Sequence, residues 1–177
     1  MGVFMTYDSM FEEATGRAPY PYQRRLALTE GFPVALSAPT GAGKTAAAAL
    51  AWLYRRRLAA EPIRRATPRR LVFCLPVRSL VRQTANAVET WLAKLDLQER
   101  GKGLDRGDRV GVHELMGGDV DGDWYRHPER DAVLVGTQDM LLSRALNRGY
   151  AMSRFSWPWE YGLLSNDCLW VFDEVQL

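Results

Sequence analysis

Short apolar runs alternate along the chain with longer stretches whose apolar positions recur every three or four residues. The runs Val34–Ala38, Leu71–Leu75, Val110–His113, Ala132–Gly136 and Leu169–Asp173 read as strands. The periodic stretches Ser9–Thr15, Tyr22–Glu30, Lys44–Ala60, Arg78–Leu95 and Gln138–Asn147 read as helices. Strands that are apolar throughout, with helices between them, belong to a sheet covered on both faces. The pattern therefore predicts an α/β fold of three layers around a mainly parallel sheet. Glu61–Arg70 and Gln98–Arg109 are polar and read as surface loops.

Composition narrows this picture only slightly. At 177 residues, 47% of them hydrophobic, the chain has enough apolar surface for its own core without disulfides or metals. Its 23 Lys+Arg against 21 Asp+Glu leave a net charge of +2, which neither announces a nucleic-acid binder nor excludes one with a local groove. Arg55–Arg57 with Arg64, Arg65, Arg69 and Arg70 form a basic cluster, read first as a solvated helix end and linker. Cys74 and Cys168 sit in apolar runs without CxxC partners and read as buried, reduced residues, which suits a cytoplasmic protein. No stretch approaches the ~18 apolar residues that span a membrane, so no membrane partner is expected.

Candidate chemistry begins at Ala38-Pro39-Thr40-Gly41-Ala42-Gly43-Lys44-Thr45, between an expected strand and an alanine-rich helix. Glycines there let successive backbone N–H groups turn towards phosphate oxygens, and the helix N-terminus adds partial positive charge. In that setting Thr40, Gly41, Ala42, Gly43, Lys44 and Thr45 hold the phosphates of ATP, Lys44 reaches the β- and γ-phosphates, and the Thr45 hydroxyl ligates Mg2+. Ala38 departs from the usual first glycine. The apolar run Leu169–Phe172 ends in Asp173 and Glu174, suited to holding Mg2+ and to polarising an attacking water respectively. An acidic strand end is weak evidence alone and gains force from the upstream phosphate loop.

Asp119-Val120-Asp121-Gly122-Asp123 invites a calcium loop, but Trp124 stands where that loop needs glycine and Arg130 where it needs glutamate. His113 and His127 lack partners at metal-ligand spacing. The aromatic stretch Tyr150–Tyr161 contains Arg154 and reads as packing more than as a stacking platform for bases.

Four segments in order resemble the motifs of superfamily 2 helicases. Ala38–Thr45 resembles motif I, Leu75–Thr84 motif Ia, Gly136–Leu142 motif Ib, and Asp173-Glu174-Val175-Gln176 motif II. Pro19-Tyr20-Pro21-Tyr22-Gln23, Met116-Gly117-Gly118-Asp119, Gly136–Leu146 and Asp173–Leu177 resemble the helicase-nuclease of type I CRISPR systems, the I-G (I-U) branch most closely. The resemblance implies a RecA-like P-loop NTPase fold, with an adenine-recognition segment over residues 1–31 and ATP-binding domain 1 over 32–177. It implies that Gln23 reads the adenine edge, that Phe11 or Tyr20 stacks on the base, and that Gln176 joins Lys44, Asp173 and Glu174 in catalysis. It places nucleic-acid contacts at Arg78, Gln83, Thr84, Gly117, Gly118, Thr137, Gln138 and Arg144. The partners it implies are single-stranded DNA, a CRISPR surveillance complex and a second, C-terminal RecA-like domain, with a nuclease domain also beyond these residues. On this reading the chain is part of a larger enzyme and hydrolyses ATP hardly at all by itself. An RNA helicase of the same superfamily and a non-hydrolysing nucleotide-dependent binding module are the alternatives.

Overall fold

The computed structural model describes residues 5–98, 109–116, 119–120, 124–148 and 155–173. They fall into two compact units, Met1–Thr67 with Thr90–Asp96, and Pro68–Glu89 with Leu97–Leu177.

The first unit is helical. It contains α1 (Tyr7–Thr15), α2 (Pro21–Leu28), α3 (Lys44–Arg57) and α4 (Glu61–Ala66). Thr6 caps α1 by accepting from the Ser9 N–H at 3.2 Å, and Gly16 closes it at φ 75°, a left-handed position that glycine adopts without strain. Pro21 starts α2, where its missing N–H has no helical partner to lose. Ala47, Ala48, Ala49 and Ala51 of α3 are buried, and their small side chains let α1 and α2 approach closely. Leu50, Trp52 and Leu53 fill the core with Met10, Phe11 and Leu26. The Tyr7 ring packs edge-on against Tyr54 at 5.6 Å.

Val34–Ala38 is not a strand. It pairs with none of the strands among the described residues, and Val34 is fully exposed. Its apolar pattern suits a sheet, but a strand needs a hydrogen-bonded neighbour, and that is a tertiary matter. Glu61–Ala66, read as loop, is a short helix with Pro62 in its first turn and an Arg65–Glu61 ion pair at 2.5 Å.

The second unit is built on the sheet β3-β2-β4-β1-β5. Its strands are β1 (Arg70–Leu75), β2 (Val110–Met116), β3 (Asp119–Val120), β4 (Asp131–Thr137) and β5 (Cys168–Phe172). β2, β4, β1 and β5 run parallel, and β3 pairs antiparallel to β2. All six residues of β1 and the first six of β4 are buried, as central strands require. The predicted α/β fold with a mainly parallel sheet is present. Helices α6 (Gln138–Ala145) and α7 (Trp157–Ser165) join the core of Val72, Cys74, Leu115, Leu134, Leu141 and Leu164. α5 (Arg78–Lys94) spans the division between the units, with a buried stripe at Val81, Ala85, Val88 and Leu92.

Arg55 and Arg70 of the arginine cluster are structural, while Arg64 and Arg65 are exposed. Arg55 is buried, donates to the Thr29 and Gly31 carbonyls and lies 4.7 Å from the Phe32 ring centroid. Arg70 is buried at the start of β1 and donates to Pro128 O and Asn166 O, both at 3.1 Å. Arg69 pairs with Asp167 at 3.3 Å. The Arg69 and Arg70 ties bind the N-terminal ends of the strands, whereas Arg64 and Arg65 keep the solvated character that composition suggested.

Candidate nucleotide loop and nucleic-acid rim

The loop preceding α3 lies in the first unit. Gly41 and Gly43 adopt φ 79° and 78°, with Ala42 between them donating its N–H to Pro39 O at 3.2 Å. Gly43 is the N-cap of α3, and the helix opens with Ala47 N–H donating to Gly43 O at 2.9 Å. The N–H groups of Lys44, Thr45 and Ala46 precede that first helical bond and have no acceptor within the helix. They form the donor set that phosphate oxygens accept. Lys44 Nζ donates to Ala38 O at 3.2 Å, so the ammonium lies back along the loop.

Gln23 sits against this loop and is 2% exposed. Its Oε1 accepts from Tyr20 N–H at 2.8 Å, and its Nε2 donates to Gly43 O at 3.1 Å. Both ends of the amide that was expected at an adenine edge are thus engaged within the chain. Tyr22 Oη donates to Ala42 O at 2.6 Å, a contact that sequence spacing does not reveal. Phe11 is 4% exposed in the helical core and is not available to stack on a base. Tyr20 is exposed, and its ring lies parallel to Tyr22 with centroids 6.4 Å apart.

The second candidate surface is the C-terminal rim of the sheet, in the second unit. Leu75 at the end of β1 lies beside Thr137 at the end of β4, and Cys74 lies beside Phe172 of β5. Asp173 follows directly, its N–H donating to Cys74 O at 3.2 Å. The openings of α5 and α6 and the Asp173 carboxylate therefore share one edge. Arg78 and Gln83 are exposed there, and Thr137 and Gln138 are half-buried. Gly136 has a packing reason to be glycine, since a Cβ would meet Leu115 O at 2.7 Å.

Two expected contacts are corrected. Arg144 is 1% exposed and forms a buried ion pair with Glu160 of α7, so it stabilises the helix pair and is not presented to nucleic acid. Thr84 faces inward at 7% exposure. Burial pushes the Arg144 guanidinium down and the Glu160 carboxyl up from their ordinary ranges, while the mutual attraction opposes both shifts. Gly117, Gly118, Glu174, Gln176 and Arg154 lie outside the described residues.

The loop's N–H groups and the Lys44 ammonium fit nucleotide phosphates. Thr45 beside them offers a hydroxyl oxygen, a ligand type that Mg2+ takes together with phosphates and water. Among the described residues, no three His, Cys, Asp or Glu side chains gather into a separate metal site. Nor is any helix among them long and apolar enough to cross a membrane.

A glycine-hinged loop opening a helix in one unit, and a mainly parallel sheet covered by helices in the other, are features of nucleotide-binding proteins of the α/β class. Residues 20–177 match the model of the DEAD/DEAH box helicase family, and the chain belongs to that family. It carries an ATP-dependent helicase motor domain of RecA-like fold. A comparison with curated proteins gave no match.

Proposed function

We propose that the chain is the ATP-binding half of a DNA translocase, the target-unwinding helicase of a type I CRISPR defence system. One observation carries the nucleic-acid part of this reading: the sheet rim. Leu75, Thr137 and Phe172 lie at one edge through strand register, so helix N-termini with Arg78, Gln83 and Gln138 stand beside Asp173. Helix N-termini and such side chains bind backbone phosphates without reading sequence, as a translocase requires. The type I CRISPR reading is supported by the phrases around Gln23, Asp119, Gln138 and Gln176 in the sequence.

In this reading Lys44 and the loop N–H groups hold the β- and γ-phosphates, and Thr45 and Asp173 are the residues that would hold Mg2+. Mg2+ held there would supply charge neutralisation at the phosphates. Glu174 orients the attacking water, with Gln176 beside it in sequence. A second RecA-like domain completes the cleft with an arginine, worth about 10^3–10^5 in rate. Target-bound surveillance complex and single-stranded DNA are the proposed partners.

The test is ATPase activity of the protein in its full-length context, with single-stranded DNA, single-stranded RNA or neither. Stimulation by DNA that is abolished in Lys44→Ala supports the proposal. Stimulation by RNA alone assigns an RNA motor instead. Nucleotide binding without turnover under all three conditions assigns a binding module.

A further inference from the structure

We propose that Tyr22 is a positioning residue for the phosphate loop, setting the direction of the Gly43 N–H through the carbonyl of the same peptide. The proposal rests on the nucleotide-site reading and deepens it.

In a planar trans peptide, the C=O and N–H groups point in opposite directions. The Ala42 carbonyl accepts from Tyr22 Oη at 2.6 Å, so the Gly43 N–H is turned away from α2. The Gly43 carbonyl accepts from Gln23 Nε2 at 3.1 Å and from Ala47 N–H at 2.9 Å, and this turns the Lys44 N–H likewise. Two consecutive N–H groups aimed to one side make the concave donor surface that phosphate oxygens enter.

These two peptides are not held equally. The one following Gly43 is fixed by the helix itself. The one between Ala42 and Gly43 lies outside the helical ladder, and glycine at φ 78° lets it rotate with little steric resistance. Its carbonyl has the Tyr22 phenol as its close partner, with Gln23 Nε2 farther off at 3.5 Å. Partial burial raises the Tyr22 pKa above its ordinary value, so the hydroxyl remains a donor throughout the neutral range.

Tyr22→Phe deletes the donor and keeps the ring. The measurement is competition for the site by Mg-ATP, Mg-tripolyphosphate and adenosine against a fluorescent ATP analogue, using the full-length protein. Loss of one such hydrogen bond predicts about a fivefold rise in Kd for ATP and for tripolyphosphate, with adenosine unchanged. A loosening of the whole region would weaken all three ligands equally, and that result overturns the proposal. Unchanged tripolyphosphate binding overturns it as well. If the wild-type protein binds none of the ligands, or Lys44→Ala binds them as well as wild type, the nucleotide-site reading itself fails. Retained wild-type binding that is lost in Lys44→Ala, with Tyr22→Phe indistinguishable from wild type, rejects the role of Tyr22 alone.

Discussion

Replacing Arg144 by methionine tests whether this side chain belongs to the core or to a nucleic-acid surface. Arg144 and Glu160 are 1% and 3% exposed, and each is the other's ion-pair partner between α6 and α7. Arg144 Nε has no hydrogen-bond partner, so the pair is already imperfectly satisfied. Removing the guanidinium leaves a carboxylate in a dry site, which must either remain charged without compensation or take up a proton. Breaking a buried pair in this way costs about 3–5 kcal/mol. At roughly 2–4 °C per kcal/mol for a chain of this size, the melting midpoint falls by about 6–20 °C. The double variant Arg144→Met/Glu160→Leu removes both charges at similar volume and is expected to recover most of the loss, because apolar replacement of a buried pair is often neutral or stabilising. Urea unfolding of the four proteins of this cycle, with coincident transitions by fluorescence and circular dichroism, measures the coupling. A loss below about 1 kcal/mol for Arg144→Met, the scale of an exposed ion pair, refutes the buried-pair account and returns Arg144 to the surface.

Two further outcomes follow from the loop and the sheet. Gly41→Ala meets no atom within 4 Å at φ 79°, whereas Gly43→Ala at φ 78° also brings Cβ to 3.0 Å from Gln23 Nε2. Gly41→Ala should therefore lose about 1–2 kcal/mol of stability from left-handed backbone strain, and Gly43→Ala about 1 kcal/mol more as the Gln23 bond is displaced. Equal losses in urea melts would remove Gln23 from the argument. Burial pushes the Cys74 thiol up to about 11 from 9.0. Because the folded value is the higher, its contribution is complete below pH 9 and disappears as pH rises through 11. Wild type should lose more stability than Cys74→Ala between pH 9 and 11, and parallel pH profiles of the two would contradict the burial argument.

The parallel strands were legible because buried strands carry continuous apolar runs. β1, β2, β4 and β5 begin or end within one to three residues of the positions that pattern predicts. The glycine-hinged loop was equally legible, since its chemistry is local to eight consecutive residues. What escaped depended on partners distant in sequence. Val34–Ala38 has the composition of a strand, but hydrogen-bonding partners are not encoded in composition. Arg144 lies in a segment whose neighbours suggest phosphate contact, and only the packing of α7 shows that its face is covered. α4 and α7 did carry a local signal, a proline in the first turn of each, outweighed by the arginines of one and the aromatics of the other. Tyr22 had no signal at all, because its contact with Ala42 joins residues twenty positions apart.

The Lys44 ammonium donates to the Ala38 carbonyl. An ammonium carries three N–H donors, so this bond leaves others for an arriving phosphate. The carbonyl tethers the lysine beside the loop before any ligand is present. A phosphate therefore meets a cation whose side chain is already ordered, and less rotamer freedom is lost on binding.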